Sequence, residues 1–133
     1  MTNKEGSVSA SLGLAPGSYI QRMVYTDGLP ALTKYKVKEY YLTPKGSVTL
    51  TEFIPCTGRT HQIRAHCQFL GHPLLGDDLY GGSQTLISRQ ALHSYSYTFK
   101  HPFTEKPLTL TAPLAEDMVA LISTLKETQL SQP

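Results

Sequence analysis

The densest group of side chains that could do chemistry lies in one stretch of 26 residues, TGRTHQIRAHCQFLGHPLLGDDLYGG, from Thr57 to Gly82. It contains two arginines, three histidines, one cysteine and two aspartates. Residues of these types can ligate a metal ion, act as a nucleophile or bind an anion. Each possibility requires a different spacing, so the spacing is the first test.

A metal site is the first possibility, because Cys56, His61, His66, Cys67 and His72 are all common metal ligands. His61 and His66 are five positions apart, so a helix does not place them on the same face. The sequence contains neither a CxxC nor an HExxH motif. We therefore expect no metal site, and we keep a small zinc-binding protein only as the second alternative function.

A cysteine nucleophile is the second possibility. Cys67 follows Ile63 by four positions and precedes Leu70 by three, which places all three on one apolar helix face. Free cysteines on such a face are usually buried and unreactive. We interpret Cys67 as a core residue.

Anion binding is the third possibility. Thr57, Gly58, Arg59 and Thr60 precede a predicted helix, where backbone N–H groups, a hydroxyl and a guanidinium could hold a phosphate. The same atoms could instead cap the helix, with Thr57 or Thr60 as the capping residue, and both interpretations remain open. Arg64 lies inside the helix, where its guanidinium needs a carboxylate or phosphate partner.

Hydrophobic periodicity predicts the elements that position these residues. Alternation and turn residues indicate strands at 22–26, 33–42, 48–54, 92–100 and 108–111. A helix is predicted after Pro55, ending at Gly71, and another over 114–125 with an apolar stripe of Leu114, Met118, Leu121, Ile122 and Leu125. The pattern predicts an α+β fold, a mainly antiparallel sheet with two packed helices.

Charge and composition restrict the class of protein. The chain has 133 residues and a formal net charge of +2, too small to indicate a polyanion partner by itself. Positive charge is concentrated at Lys34, Lys36 and Lys38, on one face of a predicted strand. The polar composition of residues 1–18 and 127–133 predicts flexible tails around one domain, 19–126.

Two cysteines and the lack of a charged and then apolar leader favour an intracellular, soluble protein. We expect it in the cytoplasm, with an organelle or the nucleus as alternatives. No apolar run approaches the roughly 18 residues that a transmembrane helix needs.

The segment TGRTHQIRAHCQFLGHPLLGDDLYG, read with ALTKYKV before it and ALHSYSYTFKHP and LTLTAPL after it, strongly resembles the C-terminal part of the catalytic domain of RluA-type RNA pseudouridine synthases. The resemblance runs from about Arg22 to about Ile122. It implies an incomplete pseudouridine synthase domain whose activity is isomerisation of uridine to pseudouridine in RNA, without a cofactor. Ribosomal, transfer or other structured RNA is the implied partner.

The resemblance also implies roles for individual residues. Arg64 is similar to the family's buried arginine, which pairs with the catalytic aspartate. Ile63 would form part of the wall of the uracil pocket, and Arg59 and His61 would lie near the RNA backbone or brace the cleft. Neighbouring Thr60 and Gln62 are included as substrate-binding residues, and the three lysines as candidate contacts to the RNA backbone.

One part of the family pattern has no counterpart here. The catalytic aspartate of the family belongs to an HRLD-type motif upstream of TGRTHQIR, and this sequence contains no such motif. We therefore expect the chain alone to be inactive, with a second polypeptide or a missing N-terminal half completing the fold. The alternative function is a non-catalytic RNA-binding module.

Overall fold

The computed structural model of the chain describes residues 4–14, 21–24, 28–43 and 46–130. Within these ranges, seven strands and two helices follow one another along the chain. The strands are β1 (Glu5–Ser9), β2 (Leu12–Leu14), β3 (Arg22–Val24), β4 (Leu32–Thr43), β5 (Gly46–Pro55), β6 (Ser96–Lys100) and β7 (Pro107–Thr111). The helices are α1 (Gln62–Phe69) and α2 (Glu116–Leu130), and a short 3-10 turn covers Asp78–Tyr80. The predicted α+β class is confirmed.

The central sheet has the strand order β1-β4-β5 and is antiparallel throughout. The predicted hairpin is confirmed as the β4–β5 pair, in which Tyr35 lies opposite Phe53. The pairing register shifts by one residue between Val37 and Glu39, so Lys38 is the extra residue of a β-bulge. Because opposite residues share a face, the shift groups Tyr41 with Val48.

Helix α2 packs against this second half of the hairpin. Its apolar stripe is the predicted one, since Met118, Leu121 and Leu125 are buried in a cluster with Tyr41 and Ile87. The cluster is completed by partly buried Val48, Leu50, Leu75, Ala91, Leu114 and Ile122. The helix continues to Leu130, so the predicted C-terminal tail is wrong over 127–130, and 131–133 lie outside the described residues.

The predicted N-terminal tail is also wrong over residues 4–14. Strand β1 pairs with β4 along its whole length, and β2 pairs with β3. Val8 and Leu12 are 5% and 3% exposed, so both apolar side chains belong to the core. The other predicted tail residues, 1–3 and 15–18, lie outside the described part of the chain.

A second core cluster lies beneath α1, where Leu12, Ala31, Ala65 and Tyr80 are buried together with partly buried Val24 at their edge. It joins β2, β3, α1 and the 3-10 turn into one unit. The candidate site is built on this unit.

The β6–β7 hairpin forms a separate two-stranded sheet. Its apolar side chains remain largely in contact with solvent, including Tyr97 at 66% exposure and Leu110 at 56%. Neither described helix is long and apolar enough to cross a membrane.

Candidate functional site

The loop before α1 determines how the site residues are presented. His61 is the N-cap residue of α1 and has a left-handed backbone conformation, with φ of 53°. No side chain caps the first turn, so the prediction that Thr57 or Thr60 caps the helix is wrong. The Thr57 hydroxyl instead donates to Gln62 Oε1 at 2.6 Å and accepts the backbone N–H of Leu32 at 3.0 Å.

Gln62 ties this loop to the central sheet. Its Oε1 also accepts the backbone N–H of Arg59, while its Nε2 donates to the carbonyl of Leu32 and to Oγ1 of Thr33. The side chain is 4% exposed, so these hydrogen bonds satisfy a buried amide. The resemblance implies that Gln62 contacts the substrate, but the structure gives its amide an internal role.

The same network continues to His66, which is buried against Thr33. His66 Nε2 lies 2.9 Å from the carbonyl of Ala10, so this nitrogen must carry a proton and donate. Its Nδ1 then accepts from the Thr33 hydroxyl at 2.8 Å. Both ring nitrogens of His66 are therefore committed to packing α1 on the sheet, and neither is directed toward catalysis.

Arg64 forms a bidentate ion pair with Asp77. Its Nε donates to Oδ2 at 3.0 Å and its Nη2 donates to Oδ1 at 2.8 Å. The side chains are 16% exposed for Arg64 and fully buried for Asp77. The hydrogen bonds to Asp77 raise the pKa of the Arg64 guanidinium, against the opposing effect of burial. Arg64 is therefore held as a fixed cation.

The aromatic ring of Tyr80 lies against the Arg64 guanidinium. The central guanidinium carbon of Arg64, Cζ, lies 5.0 Å from the centroid of the Tyr80 ring, a distance suited to a cation–π contact. The Tyr80 hydroxyl accepts the backbone N–H of Arg22 at 2.8 Å and lies 2.9 Å from His61 Nδ1. Because the hydroxyl already accepts from Arg22, we assign its proton to the bond with His61. Burial raises the pKa of Tyr80, so it is a phenol rather than a phenolate at neutral pH.

The arrangement leaves one edge of the Arg64 guanidinium without an internal partner. Nε and Nη2 are occupied by Asp77, and among the residues that the structure describes Nη1 has no acceptor. A guanidinium can hold two carboxylates, one on each of its two forked edges. Arg64 can therefore bind a second anion while Asp77 keeps it in place.

His61 is a titratable group that lies beside Tyr80 and near Arg64. Burial lowers its pKa, and the positive charges of Arg64 and Arg22 lower it further, while Asp77 has a weaker opposite effect. Because the pKa is lower in the folded chain than in the unfolded chain, the unfolded state takes up the proton first as the pH falls. The contribution of His61 to stability is thus present above the unfolded pKa of 6.5 and is lost as the pH falls below it.

We expect the substitution His61→Asn to reduce the loss of stability on acidification, because asparagine does not titrate and tolerates the left-handed backbone. The measurement is the free energy of unfolding by urea at about pH 7.5 and about pH 5.5 for both proteins. The wild-type chain should lose more stability between these two conditions than the variant. Equal losses would show that His61 is not the group responsible.

Three of the predicted substrate-binding residues lie together beside this cluster. Arg59, Thr60 and His61 are consecutive, and Arg59 and Thr60 line a cleft next to Arg22. Ile63 follows in the first turn of α1 and is partly buried. The structure thus places Arg59 and Thr60 at this cleft, with His61 and Ile63 next along the chain.

The predicted lysine stripe lies elsewhere. Thr33 points toward α1, so Lys34 and Lys36, which follow at alternate positions of β4, face the opposite side of the sheet. Lys38 pairs with Glu52 at 3.0 Å, and Lys36 lies across from Glu5 and Glu52 in the strand pairing. The structure therefore does not bring these lysines to the Arg64 cluster.

Sequence reasoning did not assign Asp77, Tyr80 or Arg22 to the site. The GDDLYG loop contains Asp77 and Tyr80, and its location one short loop after α1 was an available signal. Arg22 gave no local signal, because it reaches the site through the pairing of β3 with β2 and the contact of β3 with α1.

The remaining possibilities from the sequence concern cysteine and metal. Cys67 is 1% exposed, and burial raises the pKa of its thiol to about 12, so it is a core residue as predicted. Cys56 is a free, exposed cysteine. Within the described ranges, no three histidine, cysteine or acidic side chains lie close enough to hold a metal ion.

The two relatives of this chain described here are both named as pseudouridine synthases. No protein-family model matches the chain. It is 45% identical over 122 residues to the uncharacterised RNA pseudouridine synthase YjbO of Bacillus subtilis, covering 92% of this chain and 42% of that protein. It is 38% identical over 125 residues to the ribosomal large subunit pseudouridine synthase C of Pasteurella multocida, covering 89% of this chain and 37% of that protein.

A solved structure has the same fold. The solved structure titled "Human RNA Pseudouridylate Synthase Domain Containing 1" superposes on this chain with a TM-score of 0.73 and 24% sequence identity. The superposition covers 100% of this chain and 62% of that chain. The chain spans about two fifths of the length of these two curated relatives. By its sequence, the chain belongs to the RNA pseudouridine synthase family.

Proposed function

We propose that the chain forms the arginine-bearing part of an enzyme that isomerises uridine to pseudouridine in RNA. The observation that carries the proposal is the state of Arg64, which is oriented by Asp77 and Tyr80 and retains donors on a second edge. A catalytic aspartate supplied by a second polypeptide or by the remainder of a longer chain would accept hydrogen bonds from that edge. The names of the relatives support this choice of reaction and of RNA as substrate.

The role of Arg64 in this proposal is electrostatic. A nearby guanidinium favours the ionised form of a carboxylate, which is the form that can attack the sugar and break the glycosidic bond. After the uracil has turned, its C5 forms a bond to the ribose carbon while the ribose–carboxylate bond breaks, and C5 then loses its proton. Because Asp77 holds Arg64 before substrate arrives, little reorganisation is needed during the reaction.

The neighbouring residues would receive the RNA. The target base must leave its stack to reach an enclosed pocket, and such pockets combine apolar walls with polar contacts. Ile63 supplies an apolar side chain next to Arg64 in the sequence, and Arg59 and Thr60, which line the cleft, would meet the approaching strand together with His61. The proposal invokes no cofactor, and its RNA substrate implies a site of action inside the cell.

We expect the isolated chain to bind RNA without isomerising it, because binding residues are present and the attacking carboxylate of the family motif is not in this sequence. Two measurements check this. RNA affinity should fall steeply as salt rises, since contacts to phosphates release counterions. A tritium-release assay with uridine-labelled RNA should show no turnover above background.

The controls separate the two halves of the proposal. Robust tritium release by the isolated chain would show that the aspartate is not needed from elsewhere. No measurable RNA affinity even at low salt would instead remove the RNA-binding role, including the alternative of a non-catalytic RNA-binding module.

A further inference from the structure

The β6–β7 hairpin has two unlike faces. Tyr97 and Leu110 lie opposite each other in the strand pairing, so their side chains share a face. Leu108, two positions before Leu110, is on the same face because side chains alternate along a strand. On the other face, the hydroxyls of Thr98 and Thr109 form a hydrogen bond at 2.8 Å. One face of the hairpin is therefore apolar and the other is polar.

The apolar face is open to solvent. Tyr97 and Leu110 are each more than half exposed, and so is Tyr95, which precedes β6 and continues the same alternation. Alternation of apolar and polar residues is typical of a strand that is buried on one side. The sequence thus has the pattern of a half-buried hairpin, whereas the structure leaves its apolar side uncovered.

The hairpin also has little support from the rest of the chain. It forms a sheet of its own, and among the described elements its extensive contacts are those between its own two strands. An isolated two-stranded hairpin is marginally stable at best in water. Exposed apolar patches bordered by polar groups commonly mark surfaces that bind another protein segment. The apolar face is therefore suited to a protein partner that covers it.

The size of the face restricts the kind of partner. Two strands of five residues each span roughly 17 Å by 10 Å at the usual rise and strand spacing. A stable complex of two separate proteins buries about 800 Å² on each partner, which is several times the area of this face. The hairpin alone is thus too small to hold an independent protein or a second copy of the chain. It is large enough to form one part of the interior of a larger domain.

The relatives of the chain contain the additional length that such a domain needs. The chain matches 42% of the length of YjbO and 37% of the length of the Pasteurella multocida synthase C. In both proteins, more than half of the polypeptide therefore lies outside the matched part. That remainder is long enough to cover the hairpin and to make further contacts elsewhere.

We propose that the apolar face of the β6–β7 hairpin is the surface on which the remainder of the pseudouridine synthase docks, the same part that supplies the catalytic aspartate. This proposal rests on the proposed function, and it names the surface of this chain that joins the two parts. Apolar side chains of the remainder cover Tyr97, Leu108 and Leu110, while the threonine face of the hairpin stays in contact with water.

The test compares amide hydrogen exchange of residues 95–112 in the isolated chain and in a chimera. In the chimera, this chain replaces the matched 125 residues of the Pasteurella multocida synthase C, so that the host supplies the remainder. We expect exchange in the hairpin to be at least about tenfold slower in the chimera, the effect of burying one leucine-sized side chain. The amides of α2 serve as the internal reference, and their exchange should change by a smaller factor.

The variant Leu110→Thr and its control Leu42→Thr make the same change at two leucines of similar exposure, 56% and 60%. Both leucines lie in strands, where threonine is well tolerated, but Leu42 belongs to β4 of the central sheet. Leu110→Thr should lower the Tm of the chimera by about 4 °C or more, and that of the isolated chain by no more than about 2 °C. Leu42→Thr should have equally small effects in both proteins.

Four results would overturn the proposal. A hairpin that exchanges as fast in the folded chimera as in the isolated chain would show that its face stays uncovered. An equal extra loss from Leu42→Thr in the chimera would show that the remainder does not select this face. A dimer of the isolated chain, detected by sedimentation and abolished by Leu110→Thr, would assign the face to a second copy. A chimera that does not fold, although the unsubstituted host does, would show that the two parts do not fit.

Tritium release by the same chimera tests the proposed function separately. Slowed exchange in the hairpin of a chimera that releases no tritium would support this docking surface and contradict the proposed function. Tritium release by a chimera whose hairpin exchanges as fast as in the isolated chain would overturn the docking surface and leave the proposed function intact.

Discussion

The substitution Asp77→Asn should lower the free energy of unfolding by about 3 kcal/mol, the low end of the range for breaking a buried ion pair from one side. The variant keeps the shape of the side chain, but it leaves the mostly buried Arg64 cation without its carboxylate. Part of the guanidinium still meets solvent at 16% exposure, which is why we expect the low end. The measurement is urea unfolding at neutral pH.

The chain contains a matched control for this experiment. Arg89 and Asp117 form a bidentate pair with nearly the same geometry, Nε to Oδ2 at 2.7 Å and Nη2 to Oδ1 at 2.8 Å, but their side chains are 39% and 46% exposed. Water screens such a pair, so Asp117→Asn should have a far smaller effect. Similar losses for both variants would show that burial of the Arg64–Asp77 pair does not determine its contribution.

The second large effect concerns catalysis. In a chimera, the matched 125 residues of the Pasteurella multocida ribosomal large subunit pseudouridine synthase C are replaced by this chain, so that the host supplies the rest of the enzyme. The substitution Arg64→Lys in this chimera should lower kcat by at least about a hundredfold, the usual cost of removing one fixed charge-stabilising group. Lysine keeps the charge but cannot hold two carboxylates on a planar fork.

Arg89→Lys is the corresponding control in the chimera, because it makes the same change in an ion pair whose two side chains are exposed. It should leave kcat unchanged. RNA affinity should be similar in both variants, so the loss caused by Arg64→Lys should appear in kcat rather than in KM. Full activity of the Arg64→Lys chimera would contradict the role given to the guanidinium.

Much of the fold follows from local patterns in the sequence. The alternation in β4 and β5 predicts the central hairpin, and the spacing of Met118, Leu121 and Leu125 predicts the buried face of α2. The bulge at Lys38 was not predictable, because the alternation of lysines continues through it. Its effect depends on the partner strand, which the local pattern does not contain.

The N-terminal strands were missed for a related reason. Val8 and Leu12 are isolated apolar residues among serine and glycine, a composition typical of a tail. Strand β1 is stabilised by pairing with β4, more than twenty positions along the chain, β2 by pairing with β3, and both by burial of these two side chains. Composition does not report such long-range pairing.

The sequence predicts the central residue of the candidate site, Arg64, but not the residues that hold it in place. Arg64 needs an anionic partner on chemical grounds, but only the folded chain shows that Asp77, thirteen positions later, is one. The left-handed conformation of His61 has no glycine to signal it. Tyr80 acts through contacts with Arg22 and His61, which are distant from it in sequence.

Tritium release from uridine-labelled RNA by the unsubstituted chimera is the most direct measurement of whether this chain can serve as part of a pseudouridine synthase. We predict turnover clearly above that of the isolated chain and of the host with the 125 residues deleted. A chimera that folds cooperatively and binds RNA, yet releases no tritium, would contradict the account.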